Sequence, residues 1–307
     1  MTSIDHTPVL LKSTIDVMAP KPGERYLDLT AGYGGHAKEF LRQTQNHKDA
    51  VLVDRDDFAI EHLKREFRDV KIINQDFYGA VSSLVSDEKR FDVILMDLGV
   101  SSPQLDNAER GFSFRFDSAL DMRMDRGQKL SAHTIVNNWR ESGLIDIFVE
   151  YGELREGQAR MFARKITENR PIETTGELAK AIFGKKVFSV SEANAEGSLV
   201  ASVDSFHAKR MLPRIYQAIR IAVNDELNLL GQTLPLLLEL LAPGGRIGII
   251  SFHSLEDRMV KDFFREHGSR GLESDLKVLT PRPILGSEAD PENPRSRSAK
   301  LRVAEKI

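Results

Sequence analysis

The 307-residue chain has no cysteine. That absence excludes disulfides, thiolate zinc sites and cysteine-ligated iron–sulfur clusters. It also removes the thiol nucleophile that C5 methylation of cytosine commonly needs, and a Cys-ligated zinc deaminase centre. An excess of one charge is missing too: the formal net charge is -3, so contact with nucleic acid must come from local clusters rather than a global field. Long apolar runs are absent. The longest, Leu234–Ala242, is interrupted by Pro235 and Glu239 and is too short to span a bilayer. The first residues, MTSIDHTPVLLKS, carry no basic region and only a three-residue apolar run, Val9–Leu11. No secretory signal is expected, and by default the location is cytoplasmic. The histidines are sparse and show no metal-ligand spacing, so no metal is expected.

What is present is ordinary globular composition, 41% apolar and 29% charged, arranged with a clear rhythm. Strands are expected at Arg25–Leu29, Ala50–Asp54, Val70–Asn74 and Phe91–Leu98, with helical spacing between them. Ala59, Leu63 and Phe67 recur every four residues behind Asp56, a candidate N-cap. This alternation predicts a parallel, doubly wound α/β sheet. It resumes late in the chain. Ile215, Ile219, Val223, Leu227, Leu230 and Leu234 mark one face of a long helix, expected to kink or break at Pro235. Pro243-Gly244-Gly245 reads as a turn and Arg246–Phe252 as a strand. Lys277–Thr280 and Leu301–Glu305 are a candidate antiparallel pair.

Between these halves strand signal is weak. Ser131–Trp139, Leu144–Tyr151, Gln158–Glu168 and Thr175–Phe183 read as helices, and Gly184–Ser205 as a mobile loop. The expected organisation is a sheet domain in two parts, 1–104 and 213–307, interrupted by a helical substrate-recognition domain at 105–212.

The chemistry concentrates at strand ends. LDLTAGYGGHAKEF, Leu27–Phe40, is a strand carrying Asp28, then a glycine turn at Gly32-Tyr33-Gly34-Gly35, then a helix. The next strand ends on Asp54. Glycines let backbone approach a ligand closely, and an acid ending the second strand can accept ribose hydroxyls, so a nucleoside-containing cofactor is expected. The turn reads GxGG rather than GxGxxG. Asp28 beside it suits a ligand with a cationic amino-acid end, as S-adenosylmethionine has; a turn-capping aspartate is the plain alternative. FDVILMDLGVSSPQLD delivers Asp97 to the crevice edge of the fourth strand, to bind cofactor, to orient or deprotonate an amine, or merely to cap a turn. Phe77, after the third strand, can pack on a base or belong to the core.

Three further stretches carry weaker signals. In ERGFSFRFDSALDMRMD, Glu109–Asp125, Phe112, Phe114 and Phe116 alternate, which predicts a short strand; the alternative is a loop stacking on an unpaired base with Arg115. Basic residues cluster at Lys209, Arg210, Arg214 and Arg220, and again at Arg295, Arg297, Lys300, Arg302 and Lys306. His253 and Glu256, in SFHSLEDR, are candidates for acid–base work.

Together these segments resemble the RsmH (MraW) family of bacterial methyltransferases. The resemblance rests on HTPVLL at His6, LDLTAGYGGH at Leu27, DRD at Asp54, DLGVSSPQLDNAERGFSFR at Asp97, LDMRMD at Leu120, QAIRIAVNDEL at Gln217, LAPGGRIGIISFHSLEDR at Leu241 and NPRSRSAKLRVAEK at Asn293. It implies a Rossmann-like class I S-adenosylmethionine-dependent sheet with a helical insert. The implied activity is methylation of the N4 amine of a cytidine in small-subunit (16S) ribosomal RNA, near the decoding centre. The implied partner is that RNA or the small ribosomal subunit. Residue by residue, the resemblance carries cofactor binding to Gly34, Gly35, His36, Asp54, Phe77, Asp97 and Gln104; Asp97 is also the candidate catalytic group. The connection Phe183–Pro213 departs from the family pattern: it is longer and reads HAKRMLPRIY at His207. An amino methyltransferase on another nucleic acid and a nicotinamide oxidoreductase are the rival readings.

Overall fold

The structure is a computed structural model that describes residues 8–184, 188–193, 199–203, 205–268 and 274–307. His6 and Thr7, which open the HTPVLL match, lie outside the described residues, as do 185–187, 194–198 and 204 of the divergent segment.

The chain divides into two compact units, one made of 1–99 with 227–307 and the other of 100–226. The sequence-derived bounds 105 and 212 both fall inside the second. The first unit opens with α1 (Leu11–Met18), β1 (Tyr26–Asp28), α2 (Gly35–Thr44), β2 (Val51–Asp54), α3 (Asp57–Glu66), β3 (Lys71–Asn74), α4 (Phe77–Ser86) and β4 (Phe91–Asp97). The second holds α5 (Ser102–Asp106), α6 (Ala132–Asn138), α7 (Glu141–Glu150), α8 (Glu156–Glu168), α9 (Thr175–Phe183), β5 (Phe188–Ala193), β6 (Leu199–Val203) and α10 (Phe206–Asn224). The chain then continues through α11 (Glu226–Leu240), β7 (Leu241–Ser251), α12 (Ser254–His267), β8 (Leu276–Val278), β9 (Ile284–Leu285), α13 (Gly286–Ala289) and β10 (Lys300–Lys306).

The main sheet runs β3-β2-β1-β4-β7-β10-β8, with β9 also paired to β10. The β3–β2, β2–β1, β1–β4 and β4–β7 pairs are parallel. β10 is antiparallel to β7, β8 and β9. From β1 the chain winds outward through β2 and β3, then returns to place β4 on the other side of β1. The strand order therefore reverses between β1 and β4, where a doubly wound sheet opens a crevice at its carboxyl edge. Period-two alternation divides the core. Leu27, Val51, Val53, Ile94, Met96, Ile247 and Ile249 pack with helices α4, α11 and α12, whereas Tyr26, Leu52, Val93, Leu95, Ile250 and Val303 pack with α1, α2 and α3. Asp28, two residues after Tyr26, shares the parity of the second set.

Local chemistry explains most boundaries. The Asp56 carboxylate accepts the Phe58 amide at 3.1 Å and starts α3, as expected. The long apolar face, however, belongs to two helices. The break is at Asp225, whose φ of +53° ends α10, and Pro235 sits inside α11. A left-handed cap is a backbone event that apolar spacing does not register. Between β4 and β7, Phe91 faces Leu241 and Val93 faces Arg246, so the expected Pro243–Gly245 turn is a bulge within a strand that begins five residues earlier than its sequence signal.

The second unit packs α6 to α10 around Leu144, Phe148, Phe162, Ile166, Leu212 and Ile219. Two expectations fail here. Gly184–Ser205, expected as a mobile loop, holds two antiparallel strands instead: β5 and β6 pair with Phe188 opposite Val203 and Val190 opposite Ala201. The alternating phenylalanines do not form a strand either. Met122 N–H donates to the Arg110 carbonyl at 3.0 Å, and the Arg110 guanidinium donates to the carbonyls of Arg123 and Met124, both at 3.0 Å. These bonds fold Glu109–Asp125 back on itself as an irregular loop. Phe112 enters the core, and Phe114 packs edge-on against Tyr216 at 5.4 Å.

Candidate functional site

Three acids stand at the carboxyl ends of adjacent parallel strands: Asp28 on β1, Asp54 on β2 and Asp97 on β4. Asp28 is 1% exposed. Its oxygens accept the Tyr26 hydroxyl at 2.7 Å and the Thr30 amide at 3.1 Å. Burial dominates these bonds and pushes its pKa up to about 7.

Asp54 is half-buried, and both of its oxygens are oriented by backbone. The Gly32 amide donates to Oδ2 at 2.7 Å, and the Asp56 amide donates to Oδ1 at 2.8 Å. Desolvation still outweighs these donors, and its pKa rises to about 6. The carboxylate is thus tied to the glycine turn itself. A carboxylate has about four acceptor positions, so it can still accept from a ribose hydroxyl.

Asp97 is the least satisfied of the three. Its backbone amide donates to the Thr30 hydroxyl at 2.5 Å, but its Oδ1 is shielded from solvent and has no hydrogen-bond partner among the described residues. Burial holds its pKa well above the usual carboxylate range, and the charges of Asp28 and Glu256 push the same way. His36 does not neutralise it. The imidazole Nε2 lies 3.0 Å from the Val9 carbonyl, so Nε2 carries the proton and Nδ1 presents a lone pair, 3.6 Å from Asp97 Oδ2. That distance is too long for a hydrogen bond. Burial lowers the His36 pKa to about 4, which keeps the ring neutral.

The turn that opens α2 is built for close approach. Gly34 has a φ of +81°, and a Cβ there would meet Phe67 at 2.4 Å. A Cβ on Gly35 would meet Pro8 at 2.6 Å. The residues that follow β3 begin α4, capped by Asp76 on the Gly79 amide at 2.9 Å, with Phe77 half-buried as its first residue. Gly34, Gly35, His36, Asp54, Phe77 and Asp97 therefore share one unit, and their elements all end at or start from the same sheet edge. Gln104 belongs to the other unit. Its side-chain oxygen accepts the Ser101 amide at 2.9 Å and closes a capping box on α5.

Glu256 is a neighbour that spacing alone did not place. It is 2% exposed and accepts the Phe252 and His253 amides at 2.8 and 3.3 Å, while the His253 ring accepts the Glu256 amide at 3.4 Å. The pair caps α12, so the motif read as a candidate acid–base pair has a structural task. Its position after β7 brings a further negative charge to bear on Asp97.

Buried acids without a facing cation are costly. A cationic ligand group would offset that cost and supply the donor that Asp97 Oδ1 lacks. S-adenosylmethionine fits these demands: it has an ammonium and a sulfonium for the acid-lined end, and a ribose diol for Asp54. Among the described residues no group of His, Cys, Asp and Glu could hold a metal ion, and no helix is long and apolar enough to cross a membrane.

Comparison with known proteins gives a consistent result. A family model described as the MraW methylase family matches residues 3–307. The chain is 44% identical over 306 residues to "Ribosomal RNA small subunit methyltransferase H" of Nostoc punctiforme, covering 99% of this chain and 95% of that protein. It is 40% identical over 322 residues to the protein of the same description from Halothermothrix orenii, covering 99% of each.

Proposed function

The chain belongs to the MraW methylase family, and from that premise we propose that it methylates the N4 amine of a cytidine near the decoding centre of the small-subunit ribosomal RNA. The broader activity, S-adenosylmethionine-dependent methylation of small-subunit ribosomal RNA, is that of the family. The observation that carries the site assignment is the buried Oδ1 of Asp97, without a partner among the described residues, in an acid-lined crevice.

When bound, S-adenosylmethionine would supply a methyl group already activated by its sulfonium, whose S–C bond breaks as the methyl moves to nitrogen and leaves a neutral thioether. The residues of the chain have to bind, orient and exclude water. Asp97 offers Oδ1 to the ammonium end. Asp54, fixed by two amides, accepts the ribose hydroxyls. Gly34 and Gly35 let the backbone of the turn approach, His36 walls the site as a neutral ring, and Phe77 lies beside the adenine. Gln104 is assigned to cofactor binding on the strength of the family resemblance alone. The cytosine amine is a weak nucleophile because its lone pair is delocalised, so rate depends on holding it in line, about 3–3.5 Å from the methyl carbon, in a dry pocket. As the N–C bond forms, the amine must release a proton. Asp97, or a carbonyl or hydroxyl of 99–102, is the acceptor within this loop. The base must be unstacked, which suits a folded RNA site better than a duplex. Such a substrate places the activity in the cytoplasm, with the ribosome.

The test is transfer of labelled methyl from S-adenosylmethionine to small ribosomal subunits lacking the modification, followed by nucleoside analysis. N4-methylcytidine at one site is the expected product. Label in another nucleoside, or none despite tight cofactor binding, overturns the N4-cytidine assignment.

A further inference from the structure

Phe206, the first residue of α10, is 77% exposed, more than any other large apolar side chain among the described residues. The helix does not lack a core to bury it in: Ala208, Met211, Leu212 and Ile215 all pack inward. One turn on, the Arg210 guanidinium lies 5.8 Å from the centre of the Phe206 ring. A cation at this distance is held by the face of the ring. His207 and Lys209 are exposed in the same turn.

The four basic residues of α10 divide into two kinds. The Arg214 guanidinium donates to the carbonyls of Gly152, at 2.8 Å, and Glu153. Arg220 is clasped by both oxygens of Glu226 at 2.8 and 2.9 Å. Those two charges serve the fold. Lys209 and Arg210 face solvent, and no acid occurs between Ser205 and Arg220. In a chain of net charge -3, this turn is a local concentration of positive charge around an aromatic ring.

We propose that the exposed first turn of α10, Phe206 to Arg210, is a contact for single-stranded RNA: an unpaired base stacks on Phe206, and Lys209 and Arg210 hold the adjoining phosphates. The inference rests on the ribosomal RNA reading above and deepens it by naming the surface that engages the strand. Stacking on an aromatic ring tolerates any base, and a guanidinium serves both base and phosphate. A protein partner fits less well. One ring ringed by cations lacks the apolar centre, depleted of charge, that protein interfaces bury.

The experiment measures affinity of the full chain for small ribosomal subunits and for a 12-nucleotide single-stranded RNA of mixed sequence, at several salt concentrations. The variants are Phe206→Ala, Phe206→Trp and the double change Lys209→Ala with Arg210→Ala. Phe206→Ala is expected to weaken RNA binding on the order of tenfold, and Phe206→Trp to preserve it. The double change is expected to flatten the logarithmic salt dependence by roughly 1 to 1.5, since each phosphate contact on a single strand contributes about 0.7. Affinity for S-adenosylmethionine, measured alongside, should not move. If every variant binds RNA as the parent does, or the parent binds no RNA, the inference is overturned. An unchanged RNA affinity with an altered sedimentation coefficient overturns it in favour of self-association. If RNA binding depends on the patch but no N4-methylcytidine forms on small subunits, the inference stands and the proposed reaction fails.

Discussion

In the sheet-bearing unit, Asp28 is buried against a phenol hydroxyl and a backbone amide, and Asp97 keeps one oxygen without a partner among the described residues. In the inserted unit, the polar side chains of Asn224 and Arg123 are spent on the fold. Asn224 accepts the Met124 amide at 2.8 Å and donates to the carbonyls of Met122, at 2.8 Å, and Arg220, at 3.0 Å. Arg123 grips Asp121 and donates to the carbonyls of Arg126 and Gln128. The second arrangement stabilises irregular chain by matching donors with carbonyls. The first leaves a buried carboxyl oxygen without a partner among the described residues, which a cationic ligand group would supply. An unpartnered carboxyl oxygen at a strand's carboxyl end, rather than buried charge as such, is therefore what points to a ligand here.

Removing the unanswered charge breaks this contrast most directly. Asp97→Asn should cost about 2–4 kcal/mol of cofactor affinity, the scale of losing one member of a buried charged pair. It should also raise the melting temperature of the cofactor-free protein, because a desolvated carboxylate is replaced by a neutral amide. Calorimetric titration with S-adenosylmethionine and a thermal scan measure the two effects together. Weaker binding with a raised melting temperature is the expected signature. Unchanged affinity with lost turnover would instead make Asp97 the proton acceptor. Unchanged affinity and turnover would remove it from the site.

The satisfied unit should respond in the opposite sense. Asn224→Ala leaves the Met124 amide and the Met122 carbonyl buried without their partner. It should destabilise by about 1–3 kcal/mol, seen as a lower melting temperature or urea midpoint. A neutral result would mean that the loop from Arg110 to Asp125 holds its shape without Asn224, and the account of its folding would fail.

The two units also differed in how far the sequence disclosed them. β1, β2, β3 and β4 were legible because each is a short apolar run ending on a polar residue, and the glycine turn declared the crevice. One long-range pairing was legible, Lys277–Thr280 with Leu301–Glu305, and it is observed as β8 with β10; the pairing of β10 with β7 was not. β9, two residues long, carried none. In the inserted unit, α6 to α9 followed from helical spacing. The Phe112–Phe116 alternation misled because period two is necessary for a strand but not sufficient. The carbonyls of Arg123 and Met124 claim Arg110, and no local pattern encodes a bond across thirteen or fourteen residues. Within the site, the identities of Asp28, Asp54 and Asp97 could be read from sequence. The missing partner of Asp97 Oδ1 could not, since it depends on what fails to approach.

The mildest probe of the contrast is proton linkage, because here the groups of the crevice oppose one another. Asp54 and Asp28 have folded-state pKa values of about 6 and about 7, above the unfolded carboxylate value near 3.9. In the window between, the folded chain retains protons the unfolded chain has lost. Their contribution is fully present at low pH and is lost as pH rises through about 6 and then about 7. Asp97 acts in the same direction. His36 does the reverse. Its folded value of about 4 lies below the unfolded 6.5, so the stability it contributes is complete above pH 6.5 and is lost as pH falls toward 4. Between pH 4 and 6.5 the two trends offset in part; above 6.5 only the acids still titrate. The melting temperature of the cofactor-free protein should therefore drift down from pH 6.5 to 8. Affinity for S-adenosylmethionine should climb over the same interval, because a cation favours the ionised carboxylates and its binding releases protons. Calorimetry in two buffers of different ionisation enthalpy counts those protons. Release near pH 6.5 that vanishes in Asp97→Asn would tie the unanswered oxygen to the ligand. Proton uptake on binding would reverse the assignment of the acids and make the crevice a site for an anion.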